Sequence, residues 1–170
     1  PKLRKFELQM TEYCNKLRED ARTKISTITE VLQVNCLPQA RSTENKAFFH
    51  QLLGDFNRYQ ADLLLIDKST RTEDLPPLMK KAKRDKEMFV QVADQNYVQA
   101  VRLALKDLSP CNVVRLGITL NYTIFLVDYK KDFPRAINMI ELVLEMAYNF
   151  IDDHPEDEDE LLDSEQYEAL

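Results

Sequence analysis

Residues 46–59 read KAFFHQLLGDFNRY, and they form the centre of the stretch, residues 42–66, that decides the fold. Apolar residues recur in this stretch at intervals of three and four, which predicts an amphipathic helix; they are Phe48, Phe49, Leu52, Leu53, Phe56, Tyr59, Leu63 and Ile66. Ser42 or Thr43 can cap its start. Gly54 lies in its middle, where glycine costs about 1 kcal/mol relative to alanine, so we expect another backbone to pass close by.

The polar side of this helix carries a candidate anion-binding group. Gln51 and Arg58 lie two turns apart and therefore share a face. Arg58 and Tyr59 together can bind an anion, because a guanidinium binds phosphate through two hydrogen bonds and a phenol can donate a third. Arg58 can instead form an ordinary ion pair with Asp55. Spacing alone favours this second interpretation.

The composition indicates a single domain of long helices. The chain has 170 residues with two glycines, no tryptophan and 31% charged residues, which is typical of long helices with few tight turns. Its length is enough to bury about 70% of the unfolded surface. The net charge of −6 argues against general nucleic-acid binding.

Several classes of function find no support in the sequence. The three cysteines lack a C-x-x-C pair and the two histidines lack zinc-ligand spacing, so we predict no metal and no cofactor. There is no Ser-His-Asp set and no glycine-rich phosphate loop, so we expect no enzyme activity. No apolar run reaches about 18 residues, which predicts a soluble, cytoplasmic protein without membrane contacts.

Apolar periodicity predicts further helices on both sides of the central one. The first spans Leu3 to Val34 and ends before Pro38, because the residue before proline avoids the helical conformation. Its predicted buried stripe comprises Phe6, Met10, Tyr13, Leu17, Ala21, Ile25, Ile28 and Leu32. Another helix runs to Leu108, and Pro76-Pro77 either stops a helix or forms the first turn of this one.

The start of that later helix carries the strongly basic run KKAKRDK, residues 80–86. Such a run is usually a solvated helix face, and we favour that interpretation. The alternative is a patch that binds phosphate or an acidic partner.

Residues 112–130 predict a central helix, because apolar residues occupy most of its circumference. Gly117 permits a close helix contact. Asn121 is a polar group among apolar neighbours and must hydrogen-bond either a core partner or the main chain of a ligand; Asp128 follows two turns later on the same side. The last helix spans Arg135 to Ile151 after Pro134, and its predicted inward residues are Ile137, Ile140, Val143, Leu144, Ala147 and Ile151.

The C-terminal part of the chain is strongly acidic, with ten Asp or Glu residues between Asp152 and Glu168. We therefore divide the chain into a helical domain, residues 1–152, and an acidic C-terminal segment, residues 153–170, which we expect to be weakly ordered or to become ordered on contact. The segment could compete with ligand for a cationic surface, but we favour a solvated segment that does not compete. The predicted fold is all-α, an antiparallel array of about five long helices.

Two stretches resemble the 14-3-3 family, the dimeric adaptors that bind phosphoserine and phosphothreonine peptides. Residues 44–59 are similar to the family's fifth helix, and residues 108–125, which contain RLGITLNYTIF, are similar to its seventh. Residues 12–17 are similar, less closely, to the start of the fourth. The resemblance covers the fourth to eighth helices, without the first three or the ninth, so we expect part of a longer protein rather than a reduced relative.

The resemblance implies roles for six residues. Arg58 and Tyr59 match the arginine and tyrosine that hold the peptide phosphate, and Asn121 matches the asparagine that binds the peptide backbone, with Leu120 before it. The chain departs from the family at two groove positions. Asp128 stands in place of a glutamate, and Gln51 stands in place of a lysine.

The resemblance therefore implies a non-enzymatic signalling adaptor for phosphoserine and phosphothreonine peptides. Its expected partners are phosphorylated client proteins, and the intact protein is expected to form homodimers or heterodimers. The alternative is a helical interaction scaffold without phosphate dependence, which the loss of the groove lysine at Gln51 supports.

Overall fold

The computed structural model describes residues 2–64 and 76–154; the acidic segment predicted for residues 153–170 lies outside these ranges, except for its first two residues. Within the two ranges the chain forms helices and no strand, which confirms the all-α prediction. The helices are α1 (Lys2–Val31), α2 (Leu37–Gln39), α3 (Thr43–Leu63), α4 (Pro77–Asp107), α5 (Val113–Phe125) and α6 (Phe133–Asp153). None of these helices is long and apolar enough to cross a membrane.

Side-chain caps and prolines mark the starts of the helices; α3 begins at the predicted cap, whereas α6 begins at Phe133, two residues before the predicted start. The Ser42 hydroxyl accepts a hydrogen bond from the Asn45 N–H at 3.1 Å and caps α3. The Asn112 and Asp132 side chains cap α5 and α6 in the same way. Pro77 occupies the first turn of α4, so the Pro76-Pro77 pair begins a helix, where proline's missing N–H is not needed.

Among the described helices, α3 and α4 share the most extensive contact, and they run antiparallel. The Thr43 hydroxyl at the start of α3 donates to Asp107 at the end of α4. At the other end, the Lys86 ammonium donates to the Leu64 carbonyl. α5 packs on α3, α4 and α6, as predicted for a central helix, while α1 contacts α3.

Aromatic rings from α4 and α5 fill the core beside α3. The Tyr97 ring is completely buried and stacks on Tyr122 at 5.6 Å and against Phe125 at 5.2 Å between ring centroids. Small residues flank these rings; they are Ala47, Ala93, Ala100 and Ala104. Because alanine side chains are short, the helix axes can approach closely where they meet.

The two glycines behave differently from each other. A Cβ atom at Gly54 would lie 2.9 Å from the Tyr97 ring, so the predicted close approach exists, although an aromatic ring and not a backbone makes it. A Cβ atom at Gly117 would meet nothing within 4 Å in the described structure. The prediction of a close helix contact at Gly117 is therefore wrong for this part of the chain.

The helical path after α1 continues past the point where we predicted its end. A π-helical turn, Leu32–Cys36, follows α1 and leads directly into α2, so the backbone becomes extended only at Ala40. Pro38 lies in the first turn of α2, where it does not interrupt a required hydrogen bond. Proline therefore starts a helical turn here instead of ending the helix before it.

Two apolar stripes predicted to be buried are largely exposed. On α1, Leu32 is buried, but Phe6, Met10, Tyr13, Leu17 and Ile28 are 41–60% exposed. On α6, Val143 is buried, whereas Ile137, Ile140 and Leu144 are 41–54% exposed. The side of α6 that packs on the core lies at a different angle around the helix axis, and it includes Ala136 and Met139.

We predict that Gly54→Ala lowers the free energy of unfolding, although alanine favours helix by about 1 kcal/mol. The new methyl group would overlap the Tyr97 ring, and overpacking of this kind costs about 1–3 kcal/mol. Urea unfolding followed by circular dichroism measures the change. Gly117→Ala is the matched control and should be neutral or stabilising, because its surroundings are open. A stabilising effect at both positions would contradict the packing described here.

Candidate functional site

A cavity of about 750 Å³ opens between the end of α3, the first half of α4 and the segment that follows α5. Five Lys or Arg and three Asp or Glu residues are among those that line it, so its lining carries a net charge of +2 in a chain of net charge −6. The lining residues are Arg58, Asp62, Lys83, Lys86, Glu87, Val90, Gln91, Asp128, Tyr129, Lys130 and Lys131.

A π-helical turn at the end of α5 positions one wall of this cavity. The turn spans Leu126–Lys130 and ends at Lys131, whose φ of 56° is left-handed. The Asp132 N–H donates to the Leu126 carbonyl at 3.1 Å and closes the turn. A π turn holds one more residue than an α turn, so side chains after Leu126 leave the register of α5.

Tyr129 connects this wall to α3. Its ring stacks on Phe125 with 5.3 Å between centroids, and its hydroxyl donates to the Asp62 carboxylate. Burial and this hydrogen bond raise the pKa of Tyr129 above its ordinary value. The phenol therefore remains a donor, and it links the ends of α3 and α5 beside the cavity.

Arg58 is anchored on one side and open to the cavity on the other. Its Nη2 lies 3.3 Å from Asp55 Oδ1, and the guanidinium lies over the Tyr59 ring at 5.0 Å. Its Nε is buried and has no hydrogen-bond partner among the described residues. Burial opposes the charge of Arg58, but the nearby Asp55 carboxylate helps to outweigh this effect, and the pKa of Arg58 is raised.

The ion pair between Arg58 and Asp55 that the sequence suggested is therefore present, and Arg58 still lines the cavity. Asp55 Oδ1 also accepts a hydrogen bond of 2.5 Å from the Tyr97 hydroxyl. Burial and this hydrogen bond raise the pKa of Tyr97 well above its ordinary value, which keeps the phenol protonated. Asp55 thus shares one oxygen between two donors and fixes one edge of the guanidinium.

Of the six residues proposed from the sequence, Arg58 and Asp128 line the cavity. Tyr59 contacts Arg58, because Arg58 Nη2 lies 3.4 Å from the Tyr59 hydroxyl. Gln51 is buried on α3, outside the lining.

Leu120 and Asn121 also lie outside the lining, on α5. Leu120 is 54% exposed, and it shares an exposed side of the helix with Ile124. Asn121 is half-buried, and its side chain makes no hydrogen bond with the residues that the structure describes. A core partner for Asn121 is thus not present in this part of the chain.

The cations of the opposite wall include part of the basic run, for which a patch that binds phosphate or an acidic partner was the less favoured interpretation of the sequence. Lys83 and Lys86 belong to the basic run, and they are half-buried, whereas Lys81 and Arg84 of the same run are exposed. The difference in exposure follows helical periodicity, which places residues three apart on one face. Lys130 is paired with Asp94 at 2.9 Å.

The charged groups near the cavity do not form a metal site. No group of three or more His, Cys, Asp and Glu side chains in residues 2–64 and 76–154 is placed to hold a metal ion. An anion is the ligand that complements the net positive lining.

Comparison with known proteins gives a family match along most of the chain. The family model for 14-3-3 proteins matches residues 3–168. The 14-3-3 family protein artA of Aspergillus flavus is 27% identical over 141 residues, which cover 83% of this chain and 52% of the relative. The 14-3-3 protein 3 of Entamoeba histolytica is 24% identical over 155 residues, 89% of this chain and 52% of the relative.

A third relative is named for its role in signalling. The checkpoint signal transducer rad24 of Schizosaccharomyces pombe is 25% identical over 141 residues, 83% of this chain and 46% of the relative. The chain spans about half the length of these relatives. Since the family model covers nearly all residues of the chain, the resemblance found in two short stretches extends along it. The chain belongs to the 14-3-3 family.

Proposed function

We propose that this chain binds phosphoserine and phosphothreonine peptides and that Arg58 is the group that contacts their phosphate. Family membership supports a role as a signalling adaptor or scaffold. Dependence on phosphate is the further step that we propose here. The observation that carries it is the position of Arg58, charged, anchored by Asp55 and facing a cavity with net positive lining.

The chemistry of this position suits recognition of a phosphate dianion. A guanidinium can donate parallel hydrogen bonds to two phosphate oxygens, and such charge-assisted bonds are about twice as strong as neutral ones. Asp55 holds one edge of Arg58, so the side chain loses less conformational entropy when ligand binds. An unphosphorylated serine offers no charge to this group, which makes binding switchable.

The other residues proposed from the sequence have supporting roles in this scheme. The Tyr59 hydroxyl lies next to the Arg58 guanidinium and can donate to the same phosphate. The amide of Asn121 has free hydrogen-bonding capacity for a peptide backbone, and Leu120 is exposed beside it for an apolar side chain of the ligand. Asp128, which lines the cavity, would flank the bound peptide; a role for Gln51 is taken from the family resemblance alone, because Gln51 is buried outside the lining.

We further propose that the partners are phosphorylated client proteins in the cytoplasm and that the whole protein acts without enzyme activity, as a dimer. These properties are taken from the family resemblance. An adaptor of this kind works by holding its client, so it requires no cofactor.

A phosphate-independent scaffold is the second candidate function. Two observations favour it. Gln51 replaces the lysine that the family places in its groove, and Arg58 already has a carboxylate partner in Asp55. Each of these reduces the positive potential available to a ligand.

We predict that Arg58→Ala weakens binding of a fluorescent phosphoserine peptide by about 10- to 150-fold, which corresponds to about 1.5–3 kcal/mol for a lost charged hydrogen bond. Fluorescence anisotropy measures the affinity, and circular dichroism checks the helix content. Arg102→Ala is the matched control, because Arg102 is exposed on α4 away from the cavity lining.

The unphosphorylated twin of the peptide separates the two candidate functions. Equal affinity for both peptides would support the phosphate-independent scaffold. Binding of the phosphopeptide by Arg58→Ala within about twofold of the parent would place phosphate recognition elsewhere.

We also predict that Tyr59→Phe weakens phosphopeptide binding by about 2- to 12-fold, the range for one neutral hydrogen bond. Phenylalanine keeps the ring under the Arg58 guanidinium and removes the hydroxyl alone. The salt dependence of binding should stay the same, because no charge changes. Tyr148→Phe on the exposed side of α6 is the control. An unchanged affinity for Tyr59→Phe would remove the phenol from the phosphate site.

A further inference from the structure

The cations opposite Arg58 belong to parts of the chain that are far apart in sequence. Lys83 and Lys86 belong to the first half of α4. Lys130 is the last residue of the π turn after α5, and Lys131 follows it. Together with Arg58 they line a single cavity. A phosphate group can contact only part of a cavity of about 750 Å³, so a single phosphorylated side chain does not engage all of these cations.

The three acidic residues of the lining offset its five basic residues only in part, so a net charge of +2 remains. One of them, Asp62, accepts a hydrogen bond from the Tyr129 hydroxyl. Lys131 forms no ion pair with any described residue, and the closed π turn fixes its backbone at the rim. Lys86 is half-buried and lines the cavity, and its Nζ donates to the Leu64 carbonyl.

Some residues of the basic run are exposed to solvent, and others line the cavity. Lys81 and Arg84 are exposed, while Lys86 is half-buried and lines the cavity. A run that served solubility alone would place its cations in solvent, whereas Lys86 lines the same cavity as Arg58. The cavity volume of about 750 Å³ falls within the range of about 300–1,000 Å³ for ligand pockets, which leaves room for more than one phosphate group.

From this arrangement we propose that the cavity is a composite anion site, in which Lys86 and Lys131 bind acidic side chains next to the phosphorylated residue that Arg58 holds. The ligand class is an acidic phosphopeptide, with Asp or Glu beside the phosphoserine. This inference rests on the proposed function and narrows its ligand. In this proposal Lys86 and Lys131 supply positive charge to the site, whereas Gln51 lacks the charge of the lysine that the family has at its position.

The first experiment compares three peptides on the unmodified chain by fluorescence anisotropy at low and physiological salt. One carries phosphoserine with alanine on both sides, the second carries phosphoserine with aspartate on both sides, and the third is the unphosphorylated form of the second. We expect the second to bind about tenfold more tightly than the first at low salt, with about threefold from each carboxylate. The difference should shrink as salt rises, because exposed charge pairs are screened.

The second experiment tests which lysines cause this preference. The double variant Lys86→Gln, Lys131→Gln removes two cavity charges and should bind both phosphopeptides with nearly equal affinity. The control variant Lys81→Gln, Arg84→Gln removes two exposed charges from outside the lining and should keep the preference. Circular dichroism confirms that both variants retain their helix content.

The possible results separate this inference from the proposed function. Normal binding of the alanine-flanked phosphopeptide without preference for aspartate would overturn the composite site and leave the proposed function in place. The same conclusion follows if both double variants lose the preference equally. Equal binding of the aspartate-flanked peptide with and without phosphate would overturn the proposed function as well.

Discussion

The carboxylate of Asp55 connects the packing of the helices to the candidate site. Its Oδ1 accepts the Tyr97 hydroxyl at 2.5 Å and lies 3.3 Å from Arg58 Nη2. Tyr97 can reach it because Gly54 has no side chain in the way. A carboxylate in such a buried place is costly unless it is paired. The same group therefore stabilises the contact between α3 and α4 and orients the guanidinium.

The parts of the fold that could be predicted from the sequence depend on local signals. The caps at Ser42 and the first-turn prolines Pro77 and Pro134 act through neighbouring backbone groups, so they appear in the sequence itself. Burial could not be predicted in the same way. Periodicity shows that α1 and α6 each carry an apolar stripe, but not which element covers it, and in the described residues much of both stripes is exposed.

The candidate site, like the fold, could be predicted only in part. Arg58 and Tyr59 are adjacent in a recognisable stretch, and the sequence also indicated Asp55 as the partner of the arginine. The opposite wall could not be predicted, because Lys86 and Lys131 meet only through the tertiary fold. The π turn after Phe125 adds a residue to the helical register, and no composition signal marks that change.

The central claim is that Arg58, held by Asp55, is the group that binds phosphate. Nuclear magnetic resonance of the ¹⁵N-labelled chain tests it through the Arg58 Nε–H signal, which is assigned by its absence from Arg58→Lys. The account predicts that this signal shifts during titration with a phosphoserine peptide and stays in place with the unphosphorylated peptide. An unmoved Arg58 signal, while other signals report that the phosphopeptide has bound, would contradict it.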